Sequence, residues 1–429
     1  MTESSKKSFC VLPWVHSFIN NNGAYQVCCT SEEYHSGIPD NNHVNFNISN
    51  RPKIDDVVNS EFMKNLRLQM LKGEWSEICT RCLQTERHEG VSRRNIENID
   101  YASDIPGLIS ETLPDGAITN KFKSLDYRLG NSCNLQCRMC NPFSTEKWLK
   151  DWNEVKPIKE HNSDEQINYY KNFKWADENF LIEEMLEKLD GVERIHFAGG
   201  EPLLSPQMTK VLRECIALGY SSKIVISYNT NMTVLPKEIL ELWKEFKEIR
   251  LLCSVDGFGS VNDYIRSFSN WNIIDKNLRY LDENCKELRI SEILLSCTVQ
   301  IYNVLNLADL YSYVGAFRNI IPAVNLINLE FPDYLSTKVL PLPAKEIATV
   351  RLQRIAEDLE GKLPANYKYL VDNIYQMIRH MNTHESSSSL LIKFKKFNSK
   401  VDEKRKTKLS RALPELNKHL IDYYVENIL

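Results

Sequence analysis

Cys133-Asn-Leu-Gln-Cys137-Arg-Met-Cys140 carries three thiols at the spacing C-x-x-x-C-x-x-C. Three thiolates can hold three irons of a cubane iron–sulfur cluster, for which cysteine is the usual ligand. The fourth iron is then open to bind and activate a small molecule. Zinc knuckles and redox pairs also use closely spaced cysteines, but zinc sites present C-x-x-C pairs with further ligands at matching distance. A second set lies upstream: Cys10, Cys28 and the pair Cys79-Thr-Arg-Cys82. Between the first two, Asn20-Asn-Asn-Gly23 offers residues that tolerate positive φ, so a hairpin is expected that brings Cys10 and Cys28 together at its open end. Four cysteines in a two-plus-two arrangement can close one tetrahedral zinc site or ligate a complete iron–sulfur cluster. Cys29 can substitute for Cys28 or pack as a small apolar residue; the spacing favours Cys28. His16, beside Trp14, is expected to be a packed or hydrogen-bonded histidine.

The elements that must position these groups read as alternating strands and helices. β-runs are expected at Ser124–Gly130, Arg194–Ala198, Ile224–Asn229, Ile249–Val255, Ile293–Gln300 and Val324–Phe331. Amphipathic helical patterns separate most of them, as at Asp177–Leu189, Ser205–Gly219 and Pro236–Phe246. A helical, Trp-bearing piece is expected from Phe143 to Trp152. Such alternation implies parallel strands with helices outside, and in barrels of this kind the active site lies at the C-terminal strand ends. The cysteine loop falls at that end, as do Gly199-Gly200-Glu201-Pro202, Ser227 with Asn229, and Ser254 with Asp256. Period-2 alternation puts each of these last two pairs on one strand face, although each residue alone is as readily a turn signal. Ser296, Thr298 and Gln300 would likewise share a face.

The cysteine triad together with Gly199-Gly200-Glu201-Pro202, 59 residues after Cys140, resembles the radical S-adenosylmethionine (radical SAM) enzymes. The resemblance implies an α/β fold, a partial (β/α)6 TIM-type barrel. It makes Cys133, Cys137 and Cys140 ligands of a [4Fe–4S] cluster whose open iron chelates the cofactor's amino and carboxylate groups. The Gly-Gly-Glu-Pro element accepts hydrogen bonds from the methionyl amino group. Ser227, Asn229, Ser254 and Asp256 become cofactor-binding strand ends. Arg266 resembles the arginine that meets the SAM carboxylate in part of the family; a solvated helix arginine is the alternative. Upstream, Cys10, Gly23 and Cys28 followed by Cys79 and Cys82 resemble the SPASM and twitch motifs, which hold auxiliary clusters. Here that module precedes the barrel instead of following it, and no cysteine lies between Cys82 and Cys133, so a single twitch-type auxiliary [4Fe–4S] cluster is implied.

The resemblance also implies the chemistry: reduction by a flavodoxin or ferredoxin, cleavage of SAM to a 5′-deoxyadenosyl radical, and hydrogen-atom abstraction from a substrate. Oxidative modification of a peptide or protein is the first expectation, and modification of a small alcohol, sugar or nucleotide the alternative. A metal-bearing scaffold without catalysis is the reading from another class, and survival of triad and Gly-Gly-Glu-Pro together speaks against it. The chain has 429 residues, 42% hydrophobic content and a net charge of −4, which lends no support to a nucleic-acid partner. Its polar start and the lack of a long apolar run point away from secretion and membranes. Clusters and free thiols need a reducing compartment, so a cytoplasmic protein is expected. Three regions are expected: 1–115 as the auxiliary module, with a linker near Ile105–Gly116; 116–335 as the barrel; and 336–429 as helices without a catalytic motif. From Lys393 to Lys408 eight Lys/Arg face only Asp402 and Glu403, which reads as a solvated helix face or a site for an acidic partner.

Overall fold

The computed structural model describes residues 8–31, 37–87, 90–119, 121–173, 175, 182–183, 185–186, 188–383 and 386–427. The strands are β1 (His16–Ile19), β2 (Tyr25–Gln26), β3 (Ser124–Arg128), β4 (Arg194–Ala198), β5 (Val225–Thr230), β6 (Glu248–Ser254), β7 (Ile290–Val299) and β8 (Val324–Asn328). Their order in the sheet is β2-β1-β3-β4-β5-β6-β7-β8. Pairings β1–β3, β3–β4, β4–β5 and β7–β8 are parallel, and the β1–β2 hairpin is antiparallel. β3 to β8 run in chain order, which is the (β/α)6 partial-barrel topology. The six expected strands are all present, with ends shifted by a few residues.

The chain forms two compact units: 1–132, 169–228 and 237–250 in the first, and 133–168, 229–236 and 251–429 in the second. In the first, β1 pairs with β3 in register His16↔Ser124 and Phe18↔Asp126, and β4 and β5 continue the row with Asp126↔His196↔Ser227. One sheet face therefore carries His16, Ser124, Asp126, His196 and Ser227. The opposite face is apolar. Phe197 stacks on Tyr228 at 5.8 Å between centroids, and the Tyr228 hydroxyl accepts from Trp243 Nε1 at 3.0 Å. These side chains seat helices Pro206–Ala217 and Lys237–Trp243 against the sheet. Burying such aromatic area is a large part of what holds strand to helix. Most of the expected Asp177–Leu189 helix lies outside the described residues.

The first unit also contains α1 (Glu61–Lys72), α2 (Thr80–Arg87) and α3 (Arg93–Asp100). Ser60 caps α1 by accepting the Met63 N–H, and Gly73 closes it in the left-handed conformation at φ 85°. Arg67 of α1 is fully buried and donates to the carbonyls of Pro13, Gly116 and Val58. The expected linker is in part a helix, Ile105–Ser110, started by Pro106 in its first turn. In the second unit the Phe143–Trp152 piece is a 3-10 turn at Glu146–Lys150 followed by the short helix Trp152–Val155. The chain then ends in helices α4 (Leu342–Leu359), α5 (Tyr369–Asn382), α6 (Ser388–Arg405) and α7 (Pro414–Asn427). Among the described residues no helix is long and apolar enough to cross a membrane.

Candidate metal centres and cofactor site

Cys10, Cys28, Cys79 and Cys82 all line one cavity of the first unit, about 380 Å³ including open solvent. The turn works as its residues suggest: Gly23 takes φ 79°, its N–H donates to the Asn20 carbonyl at 2.8 Å, and β1 and β2 pair behind it. Helix α3 fixes the Cys10 segment. Asn98 accepts the Val11 N–H at 2.8 Å and donates to the Phe9 carbonyl at 2.8 Å, and Arg94 donates to the same carbonyl at 2.9 Å. Arg94 also holds Glu86 of α2 through two bonds, at 2.9 and 2.5 Å, and so ties Cys10 to the helix that carries Cys82. Thr30 bridges two of the thiols, 3.3 Å from Cys28 Sγ and 3.8 Å from Cys82 Sγ. Sequence reasoning missed Thr30, Arg94 and Asn98, because no local pattern marks a residue that supports a ligand from another element.

Burial, and then the neighbouring Cys28, raises the Cys10 thiol well above its ordinary value. Burial pushes Cys28 up to about 11 and Cys79 up to about 12, the latter with help from Cys28 and Cys82. Thiols in this state gain from a cation that takes the place of their protons. Arg93 and Arg94 line the same cavity and can offset the charge of several thiolates. The donor set around this cavity is thus four thiols and two cations. Cys29 does not line the cavity. Its sulfur accepts from Arg93 Nη1, and the same nitrogen lies 3.3 Å from Asp126 Oδ2.

The second cysteine set lies in the second unit. Cys137 is buried, Cys133 and Cys140 are half-buried, and the Cys140 thiol hydrogen-bonds Cys137. That bond and the Arg266 cation hold Cys137 below the usual thiol range, while Cys140 is raised by its bond to Cys137 and by burial. Trp148 Nε1 donates to the Cys137 carbonyl at 2.9 Å. The Leu135 N–H reaches Cys133 Sγ at 3.4 Å, and Asn231 Nδ2 lies 3.9 Å from the same sulfur. Asn231 also donates to Asn134 Oδ1 at 3.0 Å. Asn231 is buried beside the triad, whereas the expected Asn229 is exposed at the end of β5.

Arg266 is not a solvated helix arginine. It is 8% exposed, it follows the helix Ser260–Ile265, and its Nε lies 2.8 Å from Asp256 Oδ2. Burial works against its charge, but Asp256, Cys137 and Cys140 more than restore it. Asp256 is fully buried and accepts the Thr298 N–H at 2.8 Å through its other oxygen. Asp256 thus anchors Arg266 next to two of the three thiols. Ser254, at the end of β6, is half-buried.

In the first unit, Gly199 and Gly200 lie tight against the backbone of Arg128–Ser132. Gly199 takes φ 121°, and a Cβ on Gly200 would stand 1.9 Å from the Ser132 carbonyl oxygen. The Glu201 N–H donates to that oxygen at 2.9 Å. Glu201 is 3% exposed and its carboxylate caps the Leu203 N–H at 3.2 Å, with Pro202 opening that short turn. Ser227 binds His196 Nδ1 at 2.8 Å. On the same sheet face His16 binds Ser124 at 3.0 Å. His16 Nε2, Asp126 Oδ1 and Arg128 Nε are buried with no partner among the described residues. Burial and the Arg93 cation lower His16 to about 3. Burial opposes ionisation of Asp126, but His196 and Arg93 keep it below the usual carboxylate value.

The family model of the radical SAM superfamily matches residues 127–301, and that of the SPASM iron–sulfur cluster-binding domain matches residues 10–83. An S-adenosylmethionine-dependent nucleotide dehydratase of Lacinutrix mariniflava is 28% identical over 144 residues, 32% of this chain and 26% of that protein. An uncharacterized protein of Methanocaldococcus jannaschii is 29% identical over 150 residues, 35% of this chain and 43% of that one. The chain thus spans less than half the length of these relatives. Among solved structures, anSMEcpe with bound AdoMet and the Cp18Cys peptide is 14% identical with a TM-score of 0.35, covering 56% of this chain and 61% of its own. Streptococcus suis SuiB bound to S-adenosylmethionine is 15% identical with a TM-score of 0.35, covering 70% and 63%. S-adenosylmethionine and [4Fe–4S] clusters are the cofactors of these two domains. Residues 127–301 are thus similar to the radical SAM superfamily, and residues 10–83, ahead of them in the chain, to the SPASM iron–sulfur cluster-binding domain.

Proposed function

We propose that this chain is an enzyme that cleaves S-adenosylmethionine reductively and oxidises a C–H position of a peptide or protein. The grouping of Cys133, Cys137 and Cys140 with the Asp256–Arg266 pair, in the same unit, carries the reading. The three thiolates bind one cluster, and the four around the first-unit cavity bind the other. Bound there, the clusters and S-adenosylmethionine supply a 5′-deoxyadenosyl radical and a site that takes an electron back from the substrate. Every other role falls to side chains. Arg266, fixed by Asp256, offers its cation to the cofactor's carboxylate. Gly199 and Gly200 let the backbone come close to the cofactor's amino group, and Ser227, Asn229 and Ser254 supply polar strand ends.

On the polar sheet face, Asp126 Oδ1 and His16 Nε2 are buried polar atoms without a partner among the described residues, which supports a polar substrate rather than a hydrocarbon. The electron donor in this reading is a flavodoxin- or ferredoxin-type protein, and the compartment is the cytoplasm. A nucleotide substrate is the second reading, favoured by the name of the Lacinutrix relative.

The test is anaerobic reconstitution, iron and sulfide analysis, then S-adenosylmethionine with dithionite and measurement of 5′-deoxyadenosine. About eight irons per chain with deoxyadenosine formed supports the reading. Faster formation with a peptide library than with nucleotides favours the peptide, and the converse favours the nucleotide. Clusters without deoxyadenosine would sink the enzyme reading.

A further inference from the structure

We infer that the C-terminal helix α6 sets the geometry of the Cys133–Cys140 loop, through a buried lock between Arg138 and Asp402. The inference rests on the proposed role of Cys133, Cys137 and Cys140 as cluster ligands. Arg138 stands between Cys137 and Cys140 and is 1% exposed. Its Nη2 donates to Asp402 Oδ1 at 2.6 Å and to Thr407 Oγ1 at 3.0 Å. Nη1 donates to Asn398 Oδ1 at 3.0 Å and Nε to the Tyr264 carbonyl at 2.8 Å, while the guanidinium lies 3.7 Å over the Tyr264 ring. Each nitrogen of the guanidinium has a partner, and Asp402 and Asn398 lie one turn apart on α6.

The receiving side is built with equal completeness. Asn398 Oδ1 also accepts from the hydroxyls of Tyr264 at 3.0 Å and Tyr302 at 2.9 Å, and Asp402 Oδ2 takes the Leu409 N–H at 2.9 Å. A second route runs from Arg405, which bonds Ser267 at 2.5 Å and lies 4.7 Å over the Trp148 ring. Trp148 in turn holds the Cys137 carbonyl. The backbone of the loop is pinned between these routes, with Arg138 N donating to the Ile265 carbonyl at 2.9 Å and Gln136 N to the Ser267 carbonyl at 3.2 Å. A cation this deeply buried is tolerated only with its partner in place, so the pair specifies one register of loop against helix. Partners of this kind orient metal ligands without touching the metal. Arg138 and Asp402 are therefore positioning residues.

The basic run of α6 is accordingly divided. Arg405 faces inward, and Lys404 pairs with Asp151 at 3.4 Å and Glu154 at 2.5 Å in the segment just after the cysteine loop. These two of the eight basic residues of the run are thus engaged within the unit.

The test compares the full-length reconstituted parent with Asp402→Asn, Asp402→Glu, Thr407→Val and Glu415→Gln, by iron content and by EPR of the dithionite-reduced chain with and without S-adenosylmethionine. Asp402→Asn is expected to lose about half of the parent's iron and the SAM-dependent part of the spectrum, and Asp402→Glu to recover both. Thr407→Val keeps the charge pair and is expected to keep its iron but shift the SAM-dependent spectrum. Glu415→Gln is the control, because it breaks the Arg351–Glu415 pair between the other C-terminal helices α4 and α7, at 2.7 Å, without reaching the loop. It is expected to match the parent. Asp402→Asn and Thr407→Val that both match a loaded parent would overturn the lock alone, as would equal loss in Glu415→Gln. A parent with no SAM-sensitive signal would overturn the proposed function and the lock together.

Discussion

The α-carbon of Gly200 faces the Ser132 carbonyl so closely that a Cβ there would lie 1.9 Å from the oxygen. Ser132 is the residue before Cys133, so the close approach of Gly200 bears on the chain that leads into the first thiol. A backbone atom cannot swing aside as a side-chain tip can. Gly200→Ala is therefore expected to displace Ser132 and with it the first thiol. Misplacement by about 1 Å costs on the order of a hundredfold in rate, and deoxyadenosine formation by the reconstituted variant should fall by about that factor. The iron of the N-terminal site should remain. A variant with the parent's rate would mean that the turn relaxes without moving Cys133.

Cys28 and Cys29 are adjacent, and the sequence allowed either as a ligand. Cys28 lines the cavity with Cys10, Cys79 and Cys82, while Cys29 takes a hydrogen bond from Arg93. Cys28→Ser is expected to lose up to about four irons per chain and Cys29→Ser to lose none, by iron analysis after reconstitution. The reverse pattern would exchange their roles.

The chemistry of this chain was legible because its thiols are grouped along the sequence. The strands were legible through their apolar periodicity, and the Asn20–Gly23 turn through its residues. What could not be read is long-range. The parallel pairing of β1 with β3 joins residues 108 apart, His16 to Ser124, and nothing in either segment names the other. For the same reason Asp402 read as part of a solvated basic helix, although it meets Arg138 across 264 positions. Period-2 alternation along β5 marks Asn229, but it does not extend past Thr230, where the turn brings Asn231 to within 3.9 Å of Cys133 Sγ.

Among the described residues Arg67 has no carboxylate partner and donates to three carbonyls, those of Pro13, Gly116 and Val58. It ties helix α1 to the chain just after Cys10. Arg67→Met fills similar volume but leaves those carbonyls without their donor. At about 1 kcal/mol or more for each buried group left unpaired, a loss of roughly 3 kcal/mol in unfolding free energy is expected. Urea unfolding should show the midpoint fall with an unchanged slope. A change within about 0.5 kcal/mol would mean that water replaces the guanidinium.

His16 should make the fold acid-sensitive. Burial and the nearby Arg93 hold it neutral down to about pH 3, and its free Nε2 has no acceptor to offer a proton. In the unfolded chain the same ring protonates below about pH 6.5. Between these values the unfolded state binds the extra proton, so stability rises with pH and falls on acidification. The slope from this one group is about 1.4 kcal/mol per pH unit once the pH is well below 6.5. His16→Gln can keep a bond to Ser124 and has no proton to gain. The parent-minus-variant difference in unfolding free energy should therefore shrink steadily as pH falls from 6.5 toward 5, with other titrating groups cancelling. A difference that stays flat over that range would mean that His16 takes up its proton in the folded chain, and that Asp126 is close enough to receive it.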